Sequence, residues 1–165
     1  MRRLLVSSAA VAFVSAFALP VSAQDLASQV VGVWKFVSNS NKEVATGKVN
    51  RPYGEKPTGY IVYTKGGLTV FSIVGGDRSK PVGASATDAE RLSLFSTLAA
   101  GSGTYKVEGN KIVITYDSSW HQLWTGTTHK RNISISGNRL TITSDPVKNL
   151  AGQDIIFENI LERVE

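Results

Sequence analysis

The chain has 165 residues, of which 42% are hydrophobic and 19% are charged, a composition typical of one globular domain. Its 18 basic and 13 acidic residues give a net charge of +5, but no basic run is longer than a pair, which excludes the phosphate-tracking stripe of a nucleic-acid-binding protein. There is no cysteine, which excludes disulfides, zinc–cysteine sites, iron–sulfur clusters and c-type haem attachment.

The first 23 residues have the pattern of a secretory signal peptide. An arginine pair follows the initiator methionine, residues 4–19 are uncharged, and Val-Ser-Ala at 21–23 supplies the small residues of a cleavage site. The uncharged run is shorter than the ~20 apolar residues of a permanent membrane span. The sequence therefore predicts cleavage after Ala23, a mature domain of residues 24–165 without a membrane span, and a periplasmic or secreted location.

Eight β-strands are predicted in the mature sequence. Apolar and polar residues alternate in each, and turns containing glycine at 65–67, 109–110 and 137–138 join six of the strands into hairpins. The predicted strands are 31–38, 58–64, 68–74, 103–108, 111–116, 128–136, 139–143 and 154–164. Short, evenly spaced connections favour an all-β antiparallel meander, and eight strands can close into an up-and-down barrel with room for one small ligand. A two-sheet sandwich is the alternative.

One short helix, at about residues 87–100, is predicted between the third and fourth strands. Thr87 and Glu90 have the spacing of a capping box, apolar residues follow at helical spacing up to Ala99, and Gly101 is the predicted stop. A single helix in this position favours a cap or lid at the mouth of the barrel.

Several motifs resemble those of a known family. Gly32-Val33-Trp34 has the form of the lipocalin G-x-W signature, and residues 52–64 (PYGEKPTGYIVYT) resemble a conspicuous block of the bacterial and fungal lipocalin-like domain family. Gly103-Thr104-Tyr105, and the segment from Trp124 to Arg131, are similar to two further family motifs. Gln122-Leu123 stand where the family often has a proline before the tryptophan, and Ile160-Leu161 stand where its members often have a Trp before Glu-Arg.

The resemblance implies a lipocalin-type barrel that binds a small, mainly apolar molecule. It also implies structural roles for three residues at the closed end. Gly32 would permit close backbone approach, Trp34 would plug the barrel, and Arg163 would stack on the indole as a cation–π pair.

Side-chain parity along the seventh strand predicts two polar residues inside the barrel. His129 and Arg131 share a face with Ile133 and Ile135. An unpaired guanidinium is costly in apolar surroundings, so Arg131 is expected to have a carboxylate, a tyrosine or a ligand anion as its partner. With parity on other strands and the aromatic segment 118–124, this gives the predicted ligand-binding residues Arg131, His129, Tyr105, Tyr116, Phe71, Trp124 and His121. Structural pairing or core packing is the alternative for each.

These features favour an exported protein that holds an apolar or amphipathic molecule, including one with an acidic head at Arg131. One alternative is a lumenal isomerase or cyclase in which His129 is the base and Tyr105 or Tyr116 the acid. Another is a module that binds a protein through the 75–86 loop or the barrel rim. No metal or cofactor is predicted, because the two histidines lack companion ligands and there is no phosphate-binding loop.

Overall fold

Antiparallel strands make up most of residues 23–149 and 152–165, which the computed structural model describes. Residues 1–22 of the predicted signal peptide (1–23) lie outside the described residues. In chain order the elements are α1 (Ala23–Gln29), β1 (Gly32–Glu43), β2 (Val49–Asn50), β3 (Thr58–Tyr63), β4 (Leu68–Val74), α2 (Asp88–Ser96), β5 (Leu98–Glu108), β6 (Lys111–Ser119), a 3-10 turn (Gln122–Trp124), β7 (Thr128–Ser136), β8 (Arg139–Thr143), β9 (Val147–Lys148) and β10 (Asp154–Arg163). None of the described helices is long and apolar enough to cross a membrane.

Eight of these strands form a closed barrel. The hydrogen-bonded order is β2-β1-β3-β4-β5-β6-β7-β8-β10-β9, and β1 also pairs with β10, which closes the ring. The two-residue strands β2 and β9 extend the sheet beside β1 and β10. All pairs are antiparallel and each barrel strand lies next to its successor, so the predicted eight-stranded up-and-down barrel is confirmed and the sandwich is wrong.

The two ends of the barrel have connections of different length. Tight turns at 64–67, 109–110 and 137–138 lie at one end, called here the closed end. The longer segments lie at the other end, called here the mouth, and comprise 44–57, 75–97, 120–127 and 144–153. Because long connections leave room for an opening that tight turns do not, this asymmetry indicates which end of the barrel is open.

Helix α1 covers the closed end. Its Leu26 side chain and the following Val30 are buried, and the Trp34 indole nitrogen donates a hydrogen bond of 2.7 Å to the Val30 carbonyl oxygen. The sequence did not predict this helix. The closed end is therefore sealed by a segment that precedes the first strand, as well as by the Trp34 side chain.

The predicted helix is shorter than its apolar spacing suggests. The capping box is present, since the Thr87 hydroxyl accepts from the Glu90 amide and the Glu90 carboxylate accepts from the Thr87 amide. The helix nevertheless ends at Ser96, and Ala99 belongs to β5, where it pairs with Ile73. The prediction that helix extends to about residue 100 is wrong, because Leu98 and Ala99 gain ladder hydrogen bonds and burial by joining the sheet.

Strand parity positions the core as predicted. Predicted inward-facing residues are fully or partly buried, among them Phe71, Ile73, Ile112, Ile114, Tyr116, Ile133, Leu140, Ile142 and Leu161. Strand β1 continues to Glu43, well past the predicted end at Ser38, and carries Asn39 and Asn41 to the mouth. The added length places polar side chains above an apolar core.

Candidate ligand-binding site

A cavity of about 820 Å³ opens at the mouth of the barrel. Its walls are mostly apolar and aromatic, with a smaller set of polar groups, a composition typical of small-molecule sites. The lining includes Phe36, Ile61, Tyr63, Phe71, Ile73, Tyr116, Trp120, Trp124, His129, Arg131, Ile142, Phe157 and Asn159. Of the predicted ligand-binding residues, the structure brings Arg131, His129, Tyr116, Phe71, Trp124 and His121 together at this cavity.

Arg131 is half-buried in the cavity wall and lies over an aromatic ring. Its guanidinium carbon is 4.7 Å from the centre of the Phe157 ring. One Nη donates to the Lys130 carbonyl oxygen at 2.8 Å, and the other donates to Nδ1 of His129 at 2.8 Å. Burial lowers the pKa of Arg131, and Tyr116 and Asp145 oppose that shift. The predicted need for a partner is thus met by neutral groups.

His129 stands in a directed chain of hydrogen bonds. The Thr127 hydroxyl donates its proton to the Trp124 carbonyl oxygen at 2.7 Å, so it accepts from Nε2 of His129 at 2.8 Å. Nδ1 must then be unprotonated, which suits it to accept from Arg131, a residue that only donates. Burial and then the charge of Arg131 lower the pKa of His129, in agreement with a neutral ring.

Aromatic rings form one wall of the cavity around His129. Tyr116 stacks on Trp124 with ring centres 5.8 Å apart, and meets the His129 ring edge-on at 5.1 Å. Trp120 contacts Trp124 at 6.3 Å and, on its other side, Phe95 of α2 at 4.7 Å. The helix therefore borders the mouth through Phe95, and none of its residues is buried.

The 120–127 segment folds back beside β6 and β7 and forms part of the rim. A single 3-10 turn at Gln122–Trp124 directs Trp120, His121 and Trp124 toward the cavity. His121 packs edge-on against Trp120 at 5.2 Å, and Leu123 in the 3-10 turn is 71% exposed. Within the described part of the chain, no group of three side chains could hold a metal ion.

Tyr105 lies apart from the cavity. Its hydroxyl donates to the Thr64 carbonyl oxygen at 2.8 Å, and its ring packs edge-on against Tyr63 at 4.9 Å, near the turn between β3 and β4. The structure thus corrects the predicted position of Tyr105 inside the site. The Tyr105 hydroxyl and both ring nitrogens of His129 are hydrogen-bonded to other groups, so they form no acid–base pair with each other.

Several polar residues of the cavity were not predicted from the sequence. Tyr63 is 1% exposed and Asn39 is 7% exposed, and both line the cavity with Asn159. The Asn39 side-chain nitrogen donates to the Asn159 side-chain oxygen at 2.6 Å. Tyr63 could have been assigned to the inner face of the barrel, because it lies two residues after the apolar Ile61 on the same strand. Asn39 lay beyond the predicted end of β1, so parity was not applied to it.

The three signature residues lie together at the closed end. The Arg163 guanidinium carbon is 4.1 Å from the centre of the Trp34 ring, and its Nη atoms donate to the carbonyl oxygens of Gln29 and Val31. Gly32 has φ of +137°, and a Cβ atom there would lie 2.3 Å from the Glu165 carbonyl oxygen. Glycine is required at this position by both conformation and space.

A comparison of the sequence with known protein families agrees with this fold. Residues 31–161 match the lipocalin-like domain family. The chain belongs to that family. No curated protein matches the sequence. The lipocalin-like barrel, with its internal cavity, is a fold suited to binding small molecules in general.

Proposed function

We propose that this lipocalin-like protein is an exported carrier that holds an amphipathic carboxylic acid, with the carboxylate on Arg131 and the apolar part in the lumen. Arg131 carries the proposal, because its positive charge lies in the cavity wall beside neutral partners only. A carboxylate would accept two parallel hydrogen bonds from a guanidinium and compensate its charge.

The acidic side chain that affects the pKa of Arg131 is already engaged elsewhere. Asp145 is exposed, and its two oxygens accept from Lys111 at 2.8 Å and from the Asn132 amide at 2.9 Å. Arg131 forms no salt bridge with any residue in the described ranges. A ligand anion therefore has no protein carboxylate to displace.

The test compares an acid with its ester. Tryptophan fluorescence or calorimetry would measure binding of decanoic acid and methyl decanoate, since Trp120 and Trp124 line the cavity. We expect the acid to bind more tightly. Arg131→Lys should weaken acid binding by ~1–3 kcal/mol, the value of a hydrogen bond to a charged group, and leave ester binding nearly unchanged.

Arg139→Gln is the matched control, because it removes one positive charge from an exposed pair with Glu162 at the closed end. It should leave the acid-to-ester ratio unchanged. Equal affinity for acid and ester, or no binding of either at millimolar concentration, would show that Arg131 is not an anion anchor.

Export is the second part of the proposal and rests on the signal-peptide pattern of residues 1–23. N-terminal sequencing of protein recovered from outside the cytoplasm should begin at Gln24. A chain that retains Met1, or one that begins beyond about Leu26, would contradict cleavage after Ala23.

A further inference from the structure

Four buried polar side-chain atoms at the cavity have no hydrogen-bond partner among the described residues, including Nε1 of Trp120 and Nδ1 of His121 in the 120–127 segment. The other two belong to strand residues. One is the Tyr63 hydroxyl and the other is the side-chain oxygen of Asn39. Both side chains are more than nine-tenths buried, and both line the cavity. Burying a polar group without a partner costs free energy that a phenylalanine at position 63 would avoid. A bound molecule would supply the missing contacts.

The neighbours of Tyr63 leave its hydroxyl free to donate. Tyr105, whose ring packs edge-on against that of Tyr63, directs its own hydroxyl to the Thr64 carbonyl oxygen. Burial, with smaller contributions from Tyr116 and Tyr105, raises the pKa of Tyr63 far above its ordinary value. The phenol is therefore protonated at every physiological pH, and what it lacks is an acceptor.

The position of Tyr63 relative to Arg131 follows from the topology. In the ring of eight barrel strands, β3 and β7 are four strands apart in either direction, so they face each other across the lumen. Tyr63 is the last residue of β3, beside a closed-end turn, and Arg131 lies in the middle of β7. A molecule that contacts both residues spans the cavity from one wall to the deeper part of the opposite wall.

We infer that the ligand is an oxygenated acid: besides the carboxylate at Arg131, it carries a hydroxyl or carbonyl oxygen that accepts a hydrogen bond from Tyr63. This inference rests on the proposed function, since Arg131 defines which end of the ligand is held where. The free Asn39 oxygen is a second polar contact in the same lumen. A cavity built for a plain alkyl chain would have neither group.

The experiment measures binding of decanoic acid, 10-hydroxydecanoic acid and 9-oxodecanoic acid to the mature wild-type protein and to Tyr63→Phe. We expect one or both oxygenated acids to bind the wild type about tenfold more tightly than decanoic acid, as one net hydrogen bond provides. In Tyr63→Phe that preference should disappear, with decanoic acid affinity within about twofold of the wild type.

Tyr105→Phe is the matched control, because it removes a hydroxyl that has a protein partner and lies outside the cavity lining. It should lower the melting temperature and leave the preference for oxygenated acids intact. Tyr63→Phe should keep or raise the melting temperature of the unliganded protein. A clear loss of stability in Tyr63→Phe would assign the hydroxyl a structural role and overturn the inference.

The two proposals fail in different ways. If the acids bind more tightly than methyl decanoate but decanoic acid binds as tightly as both oxygenated acids, the Tyr63 contact is overturned and the acid carrier stands. If acids and ester bind equally, the role of Arg131 is overturned. If none of these molecules binds at millimolar concentration, both proposals are overturned.

Discussion

Two arginines, one at the closed end and one in the cavity wall, each lie over an aromatic ring. At the closed end, Arg163 lies 4.1 Å from the Trp34 ring centre, and in the cavity Arg131 lies 4.7 Å from that of Phe157. Arg163 donates to backbone carbonyl oxygens at the end of α1 and near the C-terminus. Arg131 donates to one carbonyl oxygen and one histidine nitrogen.

The difference lies in how each positive charge is compensated. Carbonyl oxygens at the end of a helix carry partial negative charge, so α1 provides Arg163 with an electrostatic partner as well as acceptors. Arg131 borders a cavity, and its hydrogen-bond partners are neutral. The Asp145 carboxylate that acts on it is exposed and accepts from Lys111 and Asn132 instead. Similar ring contacts therefore serve the fold in one case, and in our proposal the ligand in the other.

The largest expected loss of stability follows replacement of Trp34, whose ring lies beneath Arg163. Trp34 is completely buried and hydrogen-bonded to Val30, so Trp34→Ala should lower the free energy of unfolding by ~3–5 kcal/mol through lost burial and packing. Urea denaturation followed by circular dichroism measures this. A loss below about 1 kcal/mol would mean that the closed end does not depend on the indole.

The second largest effect is a difference between the two arginines in how much stability is lost on replacement of each by alanine. Arg163→Ala should cost about 1.5–3 kcal/mol of stability, because it leaves carbonyl acceptors at α1 without a charged donor. Arg131→Ala should cost less than about 1 kcal/mol, since its side chain borders an open cavity. Equal losses in urea denaturation would remove the distinction between a structural and a ligand-binding arginine.

A double-mutant cycle sharpens the assignment of Arg163. If its guanidinium stabilises the protein partly through Trp34, the Trp34→Ala/Arg163→Ala double variant should lose about 0.5–2 kcal/mol less stability than the sum of the single variants. Strictly additive losses would show that the contact at 4.1 Å contributes no energy of its own.

The smallest effect is a pH dependence at His129. Its pKa is lowered in the folded barrel from an ordinary value of 6.5, so between those two values the unfolded chain binds more protons. This contribution to stability is complete above about pH 6.5 and is lost as pH falls toward the folded pKa. The melting temperature of the wild type should therefore fall as pH is lowered over that interval, and the melting temperature of His129→Gln should fall less. Identical slopes would contradict the neutral His129 assigned here.

The sequence could predict the faces of the strands because alternation is local. His129, Arg131 and Ile133 lie on the inner face of β7, where a period of two places them. Parity gives the face of a residue but not its height in the barrel, which is why Tyr105 was expected in the site and lies near a turn instead. Height depends on register and bulges, which long-range pairing determines.

Other features depend on contacts that no local pattern encodes. The α1 segment docks on Trp34 and Arg163, residues that lie at the two ends of the barrel sequence. The extension of β1 through Asn39 to Glu43 depends on pairing with β10. For the same reason the buried pair of Asn39 with Asn159, 120 positions apart, could not be found from spacing.

The pairing of β1 with β10 also has a kinetic consequence. The hairpins at the closed end pair strands that are adjacent in sequence, and such hairpins can form on the microsecond scale. Pairing of Trp34 with Arg163 instead joins residues from the two ends of the domain sequence. Loop closure over such a separation slows folding, so the lumen is completed late, after the hairpins exist. The barrel can close only when β10, the last strand, is available to pair with β1.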